Sequence, residues 1–170
     1  MKHVFILVDR SGSIVAEETE KIGQLNDLLH DLTTDLEQGC PKQVYVIVYA
    51  KTAKIYWQSG QGFMDMNEGD FSGLSNLGQA YAMVKSMVDK EKLNPKDCVV
   101  ALISDGTATD NYRKQLTALD GKNQMARVAL TIGTINTTTE RHAPAEGCAF
   151  KDGINDRDDF IEKIVDLAEM

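Results

Sequence analysis

Apolar runs of strand length recur at residues 4–8, 44–50, 53–57, 98–103 and 127–132, and most of the stretches between them carry a helical period. Over 15–38 the apolar positions Ile22, Leu25, Leu28, Leu29, Leu32 and Leu36 fall three or four apart. Leu77, Ala80, Tyr81, Val84, Met87 and Val88 repeat the pattern over 74–90. Phe160, Ile161, Ile164, Leu167 and Ala168 do so near the C-terminus, behind Asp156 at an N-cap position. Short buried strands alternating with amphipathic helices predict an α/β fold, a doubly wound and mostly parallel sheet with helices on both faces. Only Lys51 and Thr52 separate 44–50 from 53–57, too few for a crossover. That pair is a hairpin, and 53–57 becomes an antiparallel edge strand.

No internal repeat, low-complexity segment or dividing linker interrupts the 170 residues, so one domain over 1–170 is expected. Residues 58–72 form a long polar loop with Gly60, Gly62 and Gly69, of a length often used for function. The net charge of −8, with no run of Lys or Arg, argues against nucleic acid as a partner. No apolar stretch reaches the length of a membrane span. Cys40, Cys98 and Cys148 are odd in number and far apart, without a CxxC pair, so neither a zinc knuckle nor a redox motif is indicated. Cys98 opens a buried run and reads as a core thiol. The first apolar run ends too early for a signal peptide, and a reduced, cytoplasmic setting is expected.

Chemistry concentrates where the first run ends, in Val4-Phe-Ile-Leu-Val-Asp9-Arg-Ser11-Gly-Ser13. A buried strand that runs into Asp-x-Ser-x-Ser sets one carboxylate and two hydroxyls at the rim of a sheet. The helix expected from about Ile14 would point its free N–H groups at the same spot. A second buried strand ends in Ser104-Asp105-Gly106, and Gly73-Leu-Ser75-Asn-Leu-Gly78 opens the helix before it. Ligands of open parallel sheets bind outside the carboxyl ends of the strands, at the switch in strand order. If the strands ending in Asp9 and Asp105 are neighbours there, Asp9, Ser11, Ser13, Ser75 and Asp105 converge. Oxygen donors of this kind suit a small hard cation, above all Mg²⁺.

These three motifs, in this order and spacing, resemble the metal-ion-dependent adhesion site of von Willebrand factor type A domains, which have a Rossmann-like fold. The resemblance covers essentially the whole chain. Ser75 stands where the family has threonine, keeping the hydroxyl but not the methyl that stiffens the rotamer. The stretch 104–110 is similar to stand-alone bacterial members associated with tellurite resistance (TerY-like), with Ala108 where those usually have proline. The resemblance implies a divalent ion, Mg²⁺ or Mn²⁺ before Ca²⁺, held by Ser11, Ser13 and Ser75, with Asp9 and Asp105 acting partly through water. It implies a protein partner whose Asp or Glu completes the metal shell, and a scaffold role in a bacterial stress-response system without enzymatic activity.

Other features read as structure. Asp110 either extends the site or caps a helix expected from about Asn111 to Leu119, with capping favoured, and Tyr112 and Arg113 either flank the site or begin that helix. Asp65, Glu68 and Asp70 are solvated loop charge, and Asp152, Asp156, Asp158 and Asp159 are helix-start charge without EF-hand spacing. Residues 137–139 and His142 fall in a polar loop before a last short strand near 148–150. No arrangement for nucleophilic catalysis and no phosphate-cradling glycine motif is present. The competing function is a metal-dependent phosphohydrolase with Asp9 as nucleophile. Such enzymes of the haloacid dehalogenase type place a second aspartate where this chain has Ser11.

Overall fold

The computed structural model of the chain describes residues 1–14, 20–39, 42–105, 108–132, 137–151, 153 and 155–170. Six strands form one sheet: β1 (Lys2–Asp9), β2 (Lys42–Tyr49), β3 (Ala53–Gln58), β4 (Cys98–Ser104), β5 (Ala126–Thr131) and β6 (Ala149–Phe150). Their order is β3-β2-β1-β4-β5-β6, and every neighbouring pair is parallel except β2 and β3. The hairpin at Lys51-Thr52 therefore makes β3 the antiparallel edge.

Five α-helices are described: α1 (Glu20–Glu37), α2 (Leu77–Glu91), α3 (Tyr112–Asp120), α4 (Thr137–His142) and α5 (Arg157–Glu169). Val4, Ile6 and Val8 of β1 pack with α1 and α5, whereas Phe5 and Leu7 pack with α2 and α3. Both faces of the central strands are thus covered, which is why β1 and β4 read as unbroken apolar runs. Sheet order reverses between β1 and β4, since β1 feeds β2 on one side and β4 enters on the other. Val8 pairs with Ile103, so the strand ends bearing Asp9 and Ser104 lie side by side at that switch.

Three expectations change. A 3₁₀ turn, Gly12–Ile14, follows β1, and α1 is described from Glu20; residues 15–19 lie outside the described set, as do Cys40, Gly106 and Asp152. Thr137–His142 is a helix rather than a polar loop. Its inward face is polar: the Thr139 and Thr131 hydroxyls meet at 2.6 Å, and His142 is fully buried. Tertiary hydrogen bonding outweighs the weak helix propensity of three threonines. The 58–72 segment is also better anchored than a polar loop, because Met66 and Phe71 are buried and the Asn26 side chain bonds both the N–H and C=O of Met66 at 2.9 Å.

Candidate metal centre

β1 delivers Asp9, fully buried, to its carboxyl end. Oδ1 accepts the Ser11 backbone N–H at 2.8 Å, and Oδ2 accepts the Ser75 hydroxyl at 2.9 Å and the Ser104 hydroxyl at 2.8 Å. The Ser11 and Ser13 hydroxyls lie 2.9 Å apart, and Ser13 donates to Asp105 Oδ2 at 2.5 Å. All five expected residues, from three separated segments, therefore share one hydrogen-bonded chain. Asp9, Ser11 and Ser75 are buried, Asp105 is half-buried and Ser13 is exposed. The rim is closed on the Asp9 side and opens to solvent at Ser13.

Backbone bonds hold the three segments. Arg10 N–H donates to Tyr49 C=O at 2.8 Å, Ser72 N–H to Arg10 C=O at 3.1 Å, and Gly12 N–H to Gly73 C=O at 3.3 Å. Gly73 sits at φ +77°, a left-handed conformation that favours glycine and turns the chain into Ser75. Asn76 N–H reaches Ala50 C=O at 2.8 Å, which ties the same loop to the end of β2.

Burial raises the Asp9 carboxyl above the usual carboxylate range; hydrogen bonds from Ser11 and Ser104 oppose this, and the Asp105 charge adds to it. Beside it lies the buried Tyr49 hydroxyl, which has no hydrogen bond of normal geometry among the described residues. Burial and the Asp9 charge push that phenol well up, so it stays neutral. Sequence reading missed Ser104, Tyr49 and Thr109 as parts of this network. Strand parity marks the first two: Tyr49, Asp9 and Ser104 continue the Tyr45–Ile47, Phe5–Leu7 and Val100–Leu102 faces of three adjacent strands. Asp110 does not cap α3. Its carboxylate takes the Gly78 N–H of α2, at 3.0 and 3.3 Å from its two oxygens.

This donor set fits a hard divalent cation. Ser75 gives its proton to Asp9, and Ser13 gives its proton to Asp105, so hydroxyl lone pairs remain to face a metal. The donors are all oxygen, and two carboxylates close together are a cost that a dication would offset. Among the described residues no group of three or more His, Cys, Asp or Glu side chains could hold a metal, so this hydroxyl-rich rim is unlike a zinc knuckle or an EF-hand.

No protein-family model and no curated protein sequence matches the chain. Solved structures do. The chain is similar to proximal thread matrix protein 1 from the mussel byssus, with TM-score 0.76 and 17% identity over 99% of this chain and 48% of that one. A second structure of that protein, described with a zinc-occupied MIDAS motif, gives 0.70 and 16% over 96% and 46%. A von Willebrand factor type A protein from Catenulispora acidiphila gives 0.73 and 15% over 98% and 42%. The manganese-loaded TRAP protein of Plasmodium vivax gives 0.69 and 15% over 98% and 71%. The chain spans less than half the length of the first three structures. At these identities the likeness establishes the fold, and that fold is the von Willebrand factor type A fold.

Proposed function

We propose that this domain of von Willebrand factor type A fold, one unit over residues 1–170, is a metal-dependent protein-binding module. Ser11, Ser13 and Ser75 would hold a divalent cation through their hydroxyl oxygens, while Asp9 and Asp105 orient those hydroxyls and the metal's waters. Mg²⁺ or Mn²⁺ fits better than Ca²⁺, which prefers more oxygens and more carboxylates. The bound ion would supply a Lewis-acid point of attachment for an Asp or Glu from a partner protein. Leu74, 50% exposed next to Ser75, offers that partner an apolar contact at the rim. The reading extends to a cytoplasmic scaffold of the TerY-like kind in a bacterial stress response. Among the described residues no helix is long and apolar enough to cross a membrane.

One observation carries the reading: three segments converge on a single chain of hydroxyls and carboxylates at the sheet's switch point. The phosphohydrolase alternative has less support, because Asp9 is fully buried and both of its oxygens accept hydrogen bonds from protein donors. Partner capture by the full chain should require Mg²⁺, vanish in EDTA and be lost in Asp9→Ala and Ser11→Ala. Capture unchanged by EDTA and by both substitutions rejects the proposal. Metal-dependent turnover of p-nitrophenyl phosphate that Asp9→Ala abolishes would favour the enzyme.

A further inference from the structure

The loop after β4 makes a set of bonds that metal ligation does not use. Thr109 Oγ1 accepts the Ser75 N–H at 3.0 Å and donates its own proton to Asn76 Oδ1 at 2.8 Å. The Thr109 N–H donates to the Ser75 C=O at 2.8 Å. One residue thus takes both backbone polar groups of Ser75. The next residue, Asp110, brings both carboxylate oxygens to the Gly78 N–H in the first turn of α2, where the helix dipole favours a negative charge. The seat exists because residue 78 has no side chain: a Cβ there would lie 2.7 Å from Asp110 Oδ2 and 3.0 Å from Gln115 Cγ.

We propose that Thr109 is a positioning residue for the metal centre, a staple that joins the loop bearing Asp105 to the loop bearing Ser75. The inference rests on the metal-binding reading above and deepens it. Ser75 lacks the γ-methyl that stiffens a threonine rotamer, so holding its hydroxyl on Asp9 Oδ2, 2.9 Å away, needs stiffness from elsewhere. The backbone supplies that stiffness. Thr109 holds the Ser75 N–H and C=O, Asn76 N–H is held by Ala50, and Asp110 anchors the staple to α2. Thr109 itself is exposed, so it contributes little to either core. Its hydroxyl acts on the site through Ser75, in the way that outer partners of a metal ligand fix its orientation.

Thr109→Val keeps the shape and the backbone bond but removes the hydroxyl; Thr109→Ser restores the hydroxyl alone. Mn²⁺ titration of the full chain, read by the electron paramagnetic resonance signal of free Mn²⁺, should show a loss of about tenfold or more for Thr109→Val and near wild-type affinity for Thr109→Ser. Metal-free Thr109→Val should melt close to wild type, and its Ser75 amide should exchange hydrogen faster. Wild-type Mn²⁺ affinity in Thr109→Val, or no recovery in Thr109→Ser, overturns the staple. Asp105→Ala separates the two readings: Mn²⁺ binding that survives it refutes the metal centre. The staple is then judged by Ser75 amide exchange, and an unchanged rate in Thr109→Val refutes it.

Discussion

Asp9 is the residue on which the rim turns, because its two oxygens collect one N–H and two hydroxyls from three strand ends and loops. Asp9→Asn preserves volume and removes the charge. Mg²⁺ at about one hundred times its dissociation constant should stabilise the wild-type chain by about 2.7 kcal/mol and leave Asp9→Asn unmoved, as thermal melts with Mg²⁺ and with EDTA would show. Equal shifts in both proteins would remove Asp9 from the site. His142 is buried with Nε2 donating to Val100 C=O at 2.9 Å and Nδ1 accepting the Tyr81 hydroxyl at 2.7 Å. Burial, with the Arg127 charge adding to it, lowers its pKa from 6.5 to about 4. The unfolded chain therefore takes up this proton first on acidification. The neutral-His142 contribution is intact above pH 6.5 and is lost as pH falls towards 4. Wild type should lose about 3 kcal/mol more than His142→Gln over that interval in urea unfolding. Parallel curves would show that His142 is not held neutral.

Elements here are fixed as much by polar staples as by apolar faces. Asp120, the last residue of α3, accepts the N–H groups of Gln124 at 2.8 Å and Met125 at 3.2 Å and pairs with Arg127 Nε at 3.2 Å, so one buried carboxylate closes the turn into β5. Asp120→Ala leaves a buried guanidinium and two amides without that partner and should cost about 3–5 kcal/mol in urea unfolding at neutral pH. A loss below about 1 kcal/mol would mean that water replaces the carboxylate there. The contrast with α4 explains what the sequence could disclose. Strands covered on both faces and helices with one greasy stripe announce themselves through apolar spacing, and so β1 to β5 and α1, α2 and α5 were legible. The meeting of Asp9, Ser11, Ser13, Ser75 and Asp105 at one rim was legible because polar oxygens follow directly on buried strands or open a helix. The α4 helix has no apolar stripe to read, since Thr138, Thr139 and His142 are what it buries. Asp110 adjoins α3 in sequence but caps α2 in space, and Ser104 and Tyr49 join the site only through sheet register. Such relations belong to the assembled sheet and leave no local pattern.

Across the whole molecule the rim and the two cores are separable. Val4, Ile6 and Val8 bury one face of the sheet, and Phe5 and Leu7 the other. Those side chains lie along the strand interior, whereas every proposed ligand lies at or beyond a strand's carboxyl end. On the proposed function a metal would stabilise loops whose backbones are already bonded to one another, and the sheet should form without it. EDTA treatment should therefore leave the far-ultraviolet circular dichroism spectrum unchanged while lowering the melting temperature. Faster amide exchange should appear at Ser11, Gly12, Ser13, Ser75 and Asn76, with Val4–Val8 and Val99–Ile103 protected as before. The gradient follows from burial: local opening of a rim costs less than opening strands flanked on both edges and both faces. Loss of sheet signal on chelation would make the ion part of the folding nucleus, and the rim could no longer be treated as a docking point carried by an independently stable scaffold.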